Sequence, residues 1–249
     1  MNLENLLAER DHKTIYRDGD KLIKIFDEAF SKADILNEAL NLARVEESDL
    51  PVPKLREVTK VDGKWAIITD FIPGKSMSHI IRDNPEKEAE YLKRFVELQI
   101  QIHNHNAPFL KKLKDKMGSK IDQTDYNATI RYELQTRLSS KPNSGNLCHG
   151  DFCPSNIIVT PDDELYVIDW AHATQGTAAA DVARSYLVFR LQGESERAKK
   201  YLNLFTETAD LAKQYVQEWL PIIAASQSVK RIATEKALLD SWVNVVEYE

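Results

Sequence analysis

One stretch constrains this chain more than any other: LCHGDFCPSNIIVTPDDELYVIDW, running from Leu147 to Trp170. Ile157 to Thr160 and Leu165 to Ile168 are short runs of strand-forming residues, and Pro161-Asp162-Asp163-Glu164 lies between them. The segment therefore predicts a tight β-hairpin. Paired symmetrically about a four-residue loop, Thr160 faces Leu165, and the register carries back to Asn156 facing Asp169. Directly opposed residues have Cβ atoms about 4.5–5.5 Å apart, so an amide oxygen and a carboxylate reach one point beyond the open end of the hairpin. Hard oxygen ligands brought together in this way suit Mg²⁺, which takes a few protein oxygens and completes its shell with phosphate and water. Asp151 lies five residues before Asn156, in a Pro-containing loop that cannot be helix, and is placed to approach the same point as a base. Singly, these residues read as turn caps and a strand end. The compound pattern is what loop chemistry alone has little reason to produce.

The flanking chain supplies a scaffold. Thr14 to Arg17, the Asp18-Gly19-Asp20 turn and Lys21 to Phe26 predict a second hairpin. Ser31 is a plausible N-cap for a helix over 31–47, where Ile35, Leu36, Ala39, Leu42 and Ala43 recur at helical spacing. Pro51 and Pro53 end that region, and Val52 to Val61, Asp62-Gly63 and Trp65 to Phe71 predict a third hairpin. Beyond Pro73-Gly74 the pattern turns helical, over 86–105, 124–139 and from about 178 onward, with a break at Pro221. The expectation is an α+β chain with an antiparallel-sheet lobe over 1–69, a hinge at 70–74 and a larger, mainly helical lobe over 75–249. A cleft between lobes is a common place for ligands. A chain of 249 residues, 43% of them hydrophobic, buries a full core without disulfides or metals as staples.

Charge and composition narrow the partners. The 33 basic and 39 acidic side chains give a formal charge of −6. That balance argues against a sequence-independent nucleic-acid binder, which needs excess Lys and Arg to neutralise phosphates. No run approaches the roughly 18 apolar residues of a membrane helix, and MNLENLLAER lacks the basic start and apolar stretch of a secretory signal. Cys148 and Cys153 have no further Cys to complete a thiolate metal site. A reduced, cytoplasmic protein with no nucleic-acid or membrane partner is the expectation.

HGDFCPSN followed by VIDW resembles the catalytic and metal-binding motifs of the aminoglycoside phosphotransferase and choline kinase superfamily. The resemblance is strongest from Leu147 to Ala183. It implies a bilobal protein-kinase-like fold and transfer of the γ-phosphoryl group of ATP to a small-molecule hydroxyl. Carried over residue by residue, Asp151 is the base that orients the acceptor, and Asn156 and Asp169 hold Mg²⁺. His149 and Asp181 match structural residues of the motif, Asp181 bracing the catalytic loop through its backbone. Lys24 alternates with Ile23 and Ile25 on a strand, Glu38 lies on the helix that follows, and together they resemble the family's Lys–Glu pair. Asp34, one turn earlier, competes with Glu38 for that role. IITDFIPG, Ile67 to Gly74, resembles the hinge, where backbone groups of Asp70 and Ile72 read adenine and Ile68 packs against it.

One departure stands out. The phosphate-covering loop falls between residues 8 and 14, and AERDHKT contains no glycine. Close backbone approach to phosphates normally uses Gly, so either side chains such as Arg10 or Lys13 do that work or nucleotide affinity is low. The competing reading is a non-catalytic nucleotide-binding pseudokinase. A metal-dependent hydrolase would have no need for Lys24 or a hinge, and the eleven residues between Asp169 and Asp181 are too few for a peptide-docking activation segment. His103 reads as a helix-end residue. KKLKDK, Lys111 to Lys116, reads as a solvated face, or else as a lid over an anionic acceptor.

Overall fold

The computed structural model describes residues 3–10 and 12–243. In chain order come β1 (Asn5–Arg10), β2 (Lys13–Asp18), β3 (Lys21–Phe26), α1 (Lys32–Val45), β4 (Leu55–Val61) and β5 (Lys64–Asp70). Next are β6 (Lys75–Ser76), α2 (Met77–Asp83), α3 (Glu88–His103), α4 (Leu113–Asp122), α5 (Ala128–Ser140) and β7 (Asn146–Cys148). The chain continues through β8 (Ile157–Val159), β9 (Leu165–Val167), β10 (Thr174–Gly176), α6 (Ala178–Leu191) and α7 (Ser195–Thr208). It ends with α8 (Lys213–Gln217), α9 (Leu220–Ser228) and α10 (Lys236–Val243). Packing divides it into two compact units: the chain up to Glu86 with Pro154–His172, and Lys87–Cys153 with Ala173 onward. That division differs from the expected scheme of 1–69, 70–74 and 75–249, since residues 75–86 and 154–172 pack with the sheet.

The first unit is built on a five-stranded antiparallel sheet in the order β1-β2-β3-β5-β4. Side chains alternate across a strand, and both faces of this sheet are apolar. On one face Phe26 and Ile67 bury against Ile35 and Ala39 of α1. On the other, Ile23, Ala66 and Ile68 form a second cluster. Helix α1 starts where the sequence predicts: Ser31 caps it by accepting from the Asp34 N–H, 3.1 Å. The β2–β3 turn is tied down by Arg56, which donates to Asp20 (2.8 Å) and Asp70 (2.6 Å).

A smaller sheet, β6-β8-β9, belongs to the same unit. Gly74 leads into it with φ +149, and a Cβ there would stand 2.2 Å from the Val159 carbonyl oxygen. Only glycine fits so close a backbone approach. The β8–β9 hairpin forms, but in a register one residue away from the symmetric expectation. Ile157 pairs with Val167 and Val159 with Leu165, and Asn156 accepts from the Ile168 N–H, 2.9 Å. Asn156 therefore faces Ile168, not Asp169. The cause is the loop, which closes over Pro161–Asp163: Thr160 and Glu164 exchange bonds across it, and Asp163 is left-handed, φ 62. Three-residue hairpin loops characteristically end on a left-handed residue, a region Asp tolerates.

The second unit is helical around an aromatic core in which Phe95, Phe152, Phe189 and Tyr201 pack at centroid distances of 4.5–5.8 Å. Helix α8 ends at Gln217 and α9 begins at Leu220, so the terminal region breaks where expected, and Pro221 sits in the first turn of α9, where the missing N–H costs no hydrogen bond. One expectation needs correction. The Lys-rich stretch is not simply a solvated face: it runs into α4, which buries Leu113, Met117 and Ile121. Cys148 and Cys153 are buried and are not joined in a disulfide. Among the described residues no helix is long and apolar enough to cross a membrane.

Candidate active site

In the first unit the strand alternation that puts Ile23 on one face puts Lys24 on the other, beside Ile67 and under α1. Lys24 donates to Glu38, with 13% and 12% of the two side chains exposed. Its ammonium also reaches Asp169 Oδ1 at 3.4 Å. Burial works to lower the Lys24 pKa, but the charges of Asp169 and Glu38 outweigh it and the net shift is upward. Asp34 is no competitor for this pair, since its carboxylate takes the Ser31 hydroxyl at 2.6 Å in the helix cap.

A second lysine enters the same group. Lys13, on β2, lies 3.5 Å from Glu38 Oε2, and burial followed by the charge of Lys24 lowers its pKa. The glycine-free loop thus leads into a strand whose first residue, Lys13, joins the charges around Glu38; Asp11, within that loop, lies outside the described residues.

Asp169 follows the last ladder bond of β8–β9 and turns out of the hairpin with φ 65. Asn156 is buried at the other side of the same open end. One carboxylate and one amide oxygen form a hard-oxygen donor set that fits Mg²⁺, an ion bound by one or two carboxylates together with substrate phosphates. Among the described residues no group of three or more His, Cys, Asp or Glu is arranged to hold a metal unaided.

In the segment expected to be the hinge, the Asp70 N–H donates to Lys54 O, 2.9 Å, and the Asp70 carbonyl accepts from Thr69 Oγ1, 3.2 Å. Ile68 needs correction: it packs with Ile23 and Ala66 on the face opposite Lys24. Leu22, Ile67 and Thr69 lie on the face of Lys24 instead, as strand periodicity requires.

In the second unit the loop after β7 carries His149, Gly150 and Asp151. Asp181, in the first turn of α6, accepts from the Gly150 N–H (2.7 Å), the His149 N–H (3.2 Å) and His103 Nε2 (3.0 Å). Burial alone would raise this carboxyl, but the His103 hydrogen bond, the two histidines and the Gly150 N–H bring it below its ordinary value. Gly150 takes φ 80, which suits glycine. His149 is fully buried, and its Nδ1 accepts from the Asp151 N–H, 3.2 Å. His103 is a helix-end residue as expected, yet it also grips Asp181. Its position on the inner face of α3, among buried Phe95, Leu98 and Gln99, is the signal that could have found it. Beneath the loop, Tyr201 donates to Gln99 (2.5 Å), Gln99 to Ser185 (3.2 Å) and Ser185 to the Phe152 carbonyl (2.7 Å). Asp151 is about one-third exposed, and its Oδ1 accepts from Arg184 Nη2 at 3.0 Å. Sequence reading missed Arg184, which lies one turn after Asp181 on α6.

A model of the phosphotransferase enzyme family matches residues 4–220. Among solved structures, the fold is similar to a thermostable mutant of aminoglycoside phosphotransferase APH(4)-Ia in its apo form. The TM-score is 0.70 at 18% identity, over 96% of this chain and 92% of that one. A ternary complex of a further mutant of that enzyme with ADP and hygromycin B gives 0.69 at 17% identity, over 96% and 89%. Choline kinase LicA from Streptococcus pneumoniae gives 0.62 at 15% identity, over 95% and 86%. No curated protein sequence matches the chain. At these identities the structures speak for the fold, which is of the α+β, protein-kinase-like class. The family match spans both units, and from it one conclusion follows: the chain belongs to the phosphotransferase enzyme family, as a small-molecule kinase.

Proposed function

We propose that this protein transfers the γ-phosphoryl group of ATP to a hydroxyl of a small molecule with the help of Mg²⁺. The observation that carries the reading is Lys24 held between Glu38 and Asp169, since phosphoryl transfer needs a fixed cation on the α- and β-phosphates. In this reading residues 1–69 bind the nucleotide, 70–74 form the hinge and 75–249 serve catalysis and the acceptor. Adenine is read by the Asp70 carbonyl and the Ile72 N–H, with Leu22 and Ile67 as apolar contacts. Asn156 and Asp169 would hold Mg²⁺, which when bound neutralises charge on the phosphates. Asp151 orients the acceptor hydroxyl and takes its proton as the new O–P bond forms; the bond from the γ-phosphorus to the β–γ bridging oxygen breaks, and ADP leaves. Asp181 and His149 fix the loop that carries Asp151. A reduced, cytoplasmic setting, where ATP is plentiful, agrees with two cysteines that form no disulfide. The glycine-free loop favours the pseudokinase alternative, and Lys13 at Glu38 answers it.

The test is a γ-phosphate transfer assay over hydroxylated metabolites and aminoglycosides, run beside ATP titrations. Asp151→Ala should leave ATP affinity within about threefold and lower turnover by roughly two orders of magnitude or more. Asp169→Asn should weaken Mg²⁺-dependent ATP binding while the protein stays folded. ATP binding without transfer to any acceptor would make the chain a pseudokinase. A parent that transfers phosphate no faster than its Asp151→Ala variant would remove Asp151 as the base.

A further inference from the structure

A cavity of about 280 Å³ lies within the second unit, bounded by the start of α4, the 142–145 loop, the end of β10 and Trp219. Its size is at the small end of ligand pockets, which run from about 300 to 1,000 Å³. Three helices begin at its wall. Lys112, Thr177 and Trp219, the N-cap residues of α4, α6 and α9, all line it. These helices are 10, 14 and 9 residues long. The first N–H groups of a helix have no partner within it, and their partial positive charge favours an anion.

An N-cap side chain normally answers those donors with an oxygen. Here none does. Lysine and tryptophan side chains only donate, and Thr177 makes no capping bond. Lys112 also sets a cation where the helix dipole favours the opposite sign. Lys114 lines the cavity too, although its ammonium is bound to the carbonyls of Ser139 (3.1 Å) and Lys141 (2.6 Å). No acidic side chain among the described residues lines the cavity. Asp115, in the first turn of α4, is exposed and outside the lining, and Glu218, beside Trp219, takes Lys141 at 2.5 Å.

Trp219 supplies an independent observation. Its side chain is fully buried, and its Nε1 has no hydrogen-bond partner among the described residues. Buried donors are nearly always met, and leaving one unmet is costly. We propose that the cavity binds a small molecule through a phosphate or carboxylate group. Oxygens of that group accept from the first N–H groups of α4 and from Trp219 Nε1, with Lys112 as the counter-charge. The cavity lies at the other end of β7 from the loop that carries Asp151: Gly145 lines it before the strand, and His149 follows the strand. The proposal is therefore independent of the role of Asp151.

Nuclear magnetic resonance of the indole N–H groups tests it on the full chain. The four tryptophans give four indole peaks. Trp219→Phe keeps a ring and removes the N–H, which assigns one peak to Trp219; triple-resonance assignment of the parent serves if that variant does not fold. Inorganic phosphate or acetate should move this peak saturably, with a Kd of about 1 mM or tighter. The anion that binds more tightly tells phosphate from carboxylate. Lys112 is exposed, so Lys112→Gln leaves the core intact, and the same titration should then show affinity weakened about tenfold. A Trp219 peak that neither anion moves, or that chloride moves equally, overturns the proposal. A saturable shift that Lys112→Gln leaves unchanged overturns it as well.

Discussion

Lys24 shows how much a single position can carry. Replacing it by Met leaves Glu38 and Asp169 without the cation that separates them. Breaking a buried ion pair costs about 3–5 kcal/mol, and because Asp169 is partly solvated, about 2 kcal/mol is expected here. Urea denaturation reads that loss, and ATP titration should show weakened binding beside it. The pH dependence has a definite sign. A lysine whose folded pKa lies above 10.5 adds stability that is complete below pH 10.5 and lost as pH rises through the folded value. The Lys24→Met curve should lack that alkaline component. Lys24 and Glu38 were legible because one sits at a strand parity and the other on the helix that follows. The partner of Asp169 was not, since register hung on whether the loop held three residues or four. Ile68 failed on parity: it shares a segment with the hinge but lies on the face opposite Lys24.

At the level of elements, the first turn of α6 acts as a clamp. Asp181→Ala would leave the His149 and Gly150 N–H groups without their acceptor, and each buried donor so orphaned costs about 1–3 kcal/mol. A loss of several kcal/mol and a drop in turnover should appear together, measured by thermal melting and by transfer assay. A carboxyl held below 3.8 contributes stability above pH 3.8 and surrenders it as pH falls through the folded value, so the variant should lose less of its stability on acidification. Gly74→Ala tests the other close joint. A methyl group 2.2 Å from a carbonyl oxygen forces the backbone apart, and a cost of about 1–3 kcal/mol is expected in chemical denaturation. Caps and hairpins such as Ser31 and Asp18-Gly19 were readable because local chemistry decides them. Helix α4 was not, because three lysines and Gly118 mask its buried stripe of three apolar residues.

For the molecule as a whole, the formal charge of −6 is an average over separate stretches of chain, and only folding brings Arg184 to Asp151. The same discontinuity runs through the architecture, since the chain leaves or re-enters a unit after Glu86, Cys153 and His172. A ribosome therefore delivers the five-stranded sheet long before the hairpin that completes its unit. Until residues 154–172 emerge, Lys24 has Glu38 but no Asp169, and β6 has no β8 to pair with. The nascent chain must carry its half-built first unit through the synthesis of α3, α4 and α5, so that unit is complete only once His172 has been made.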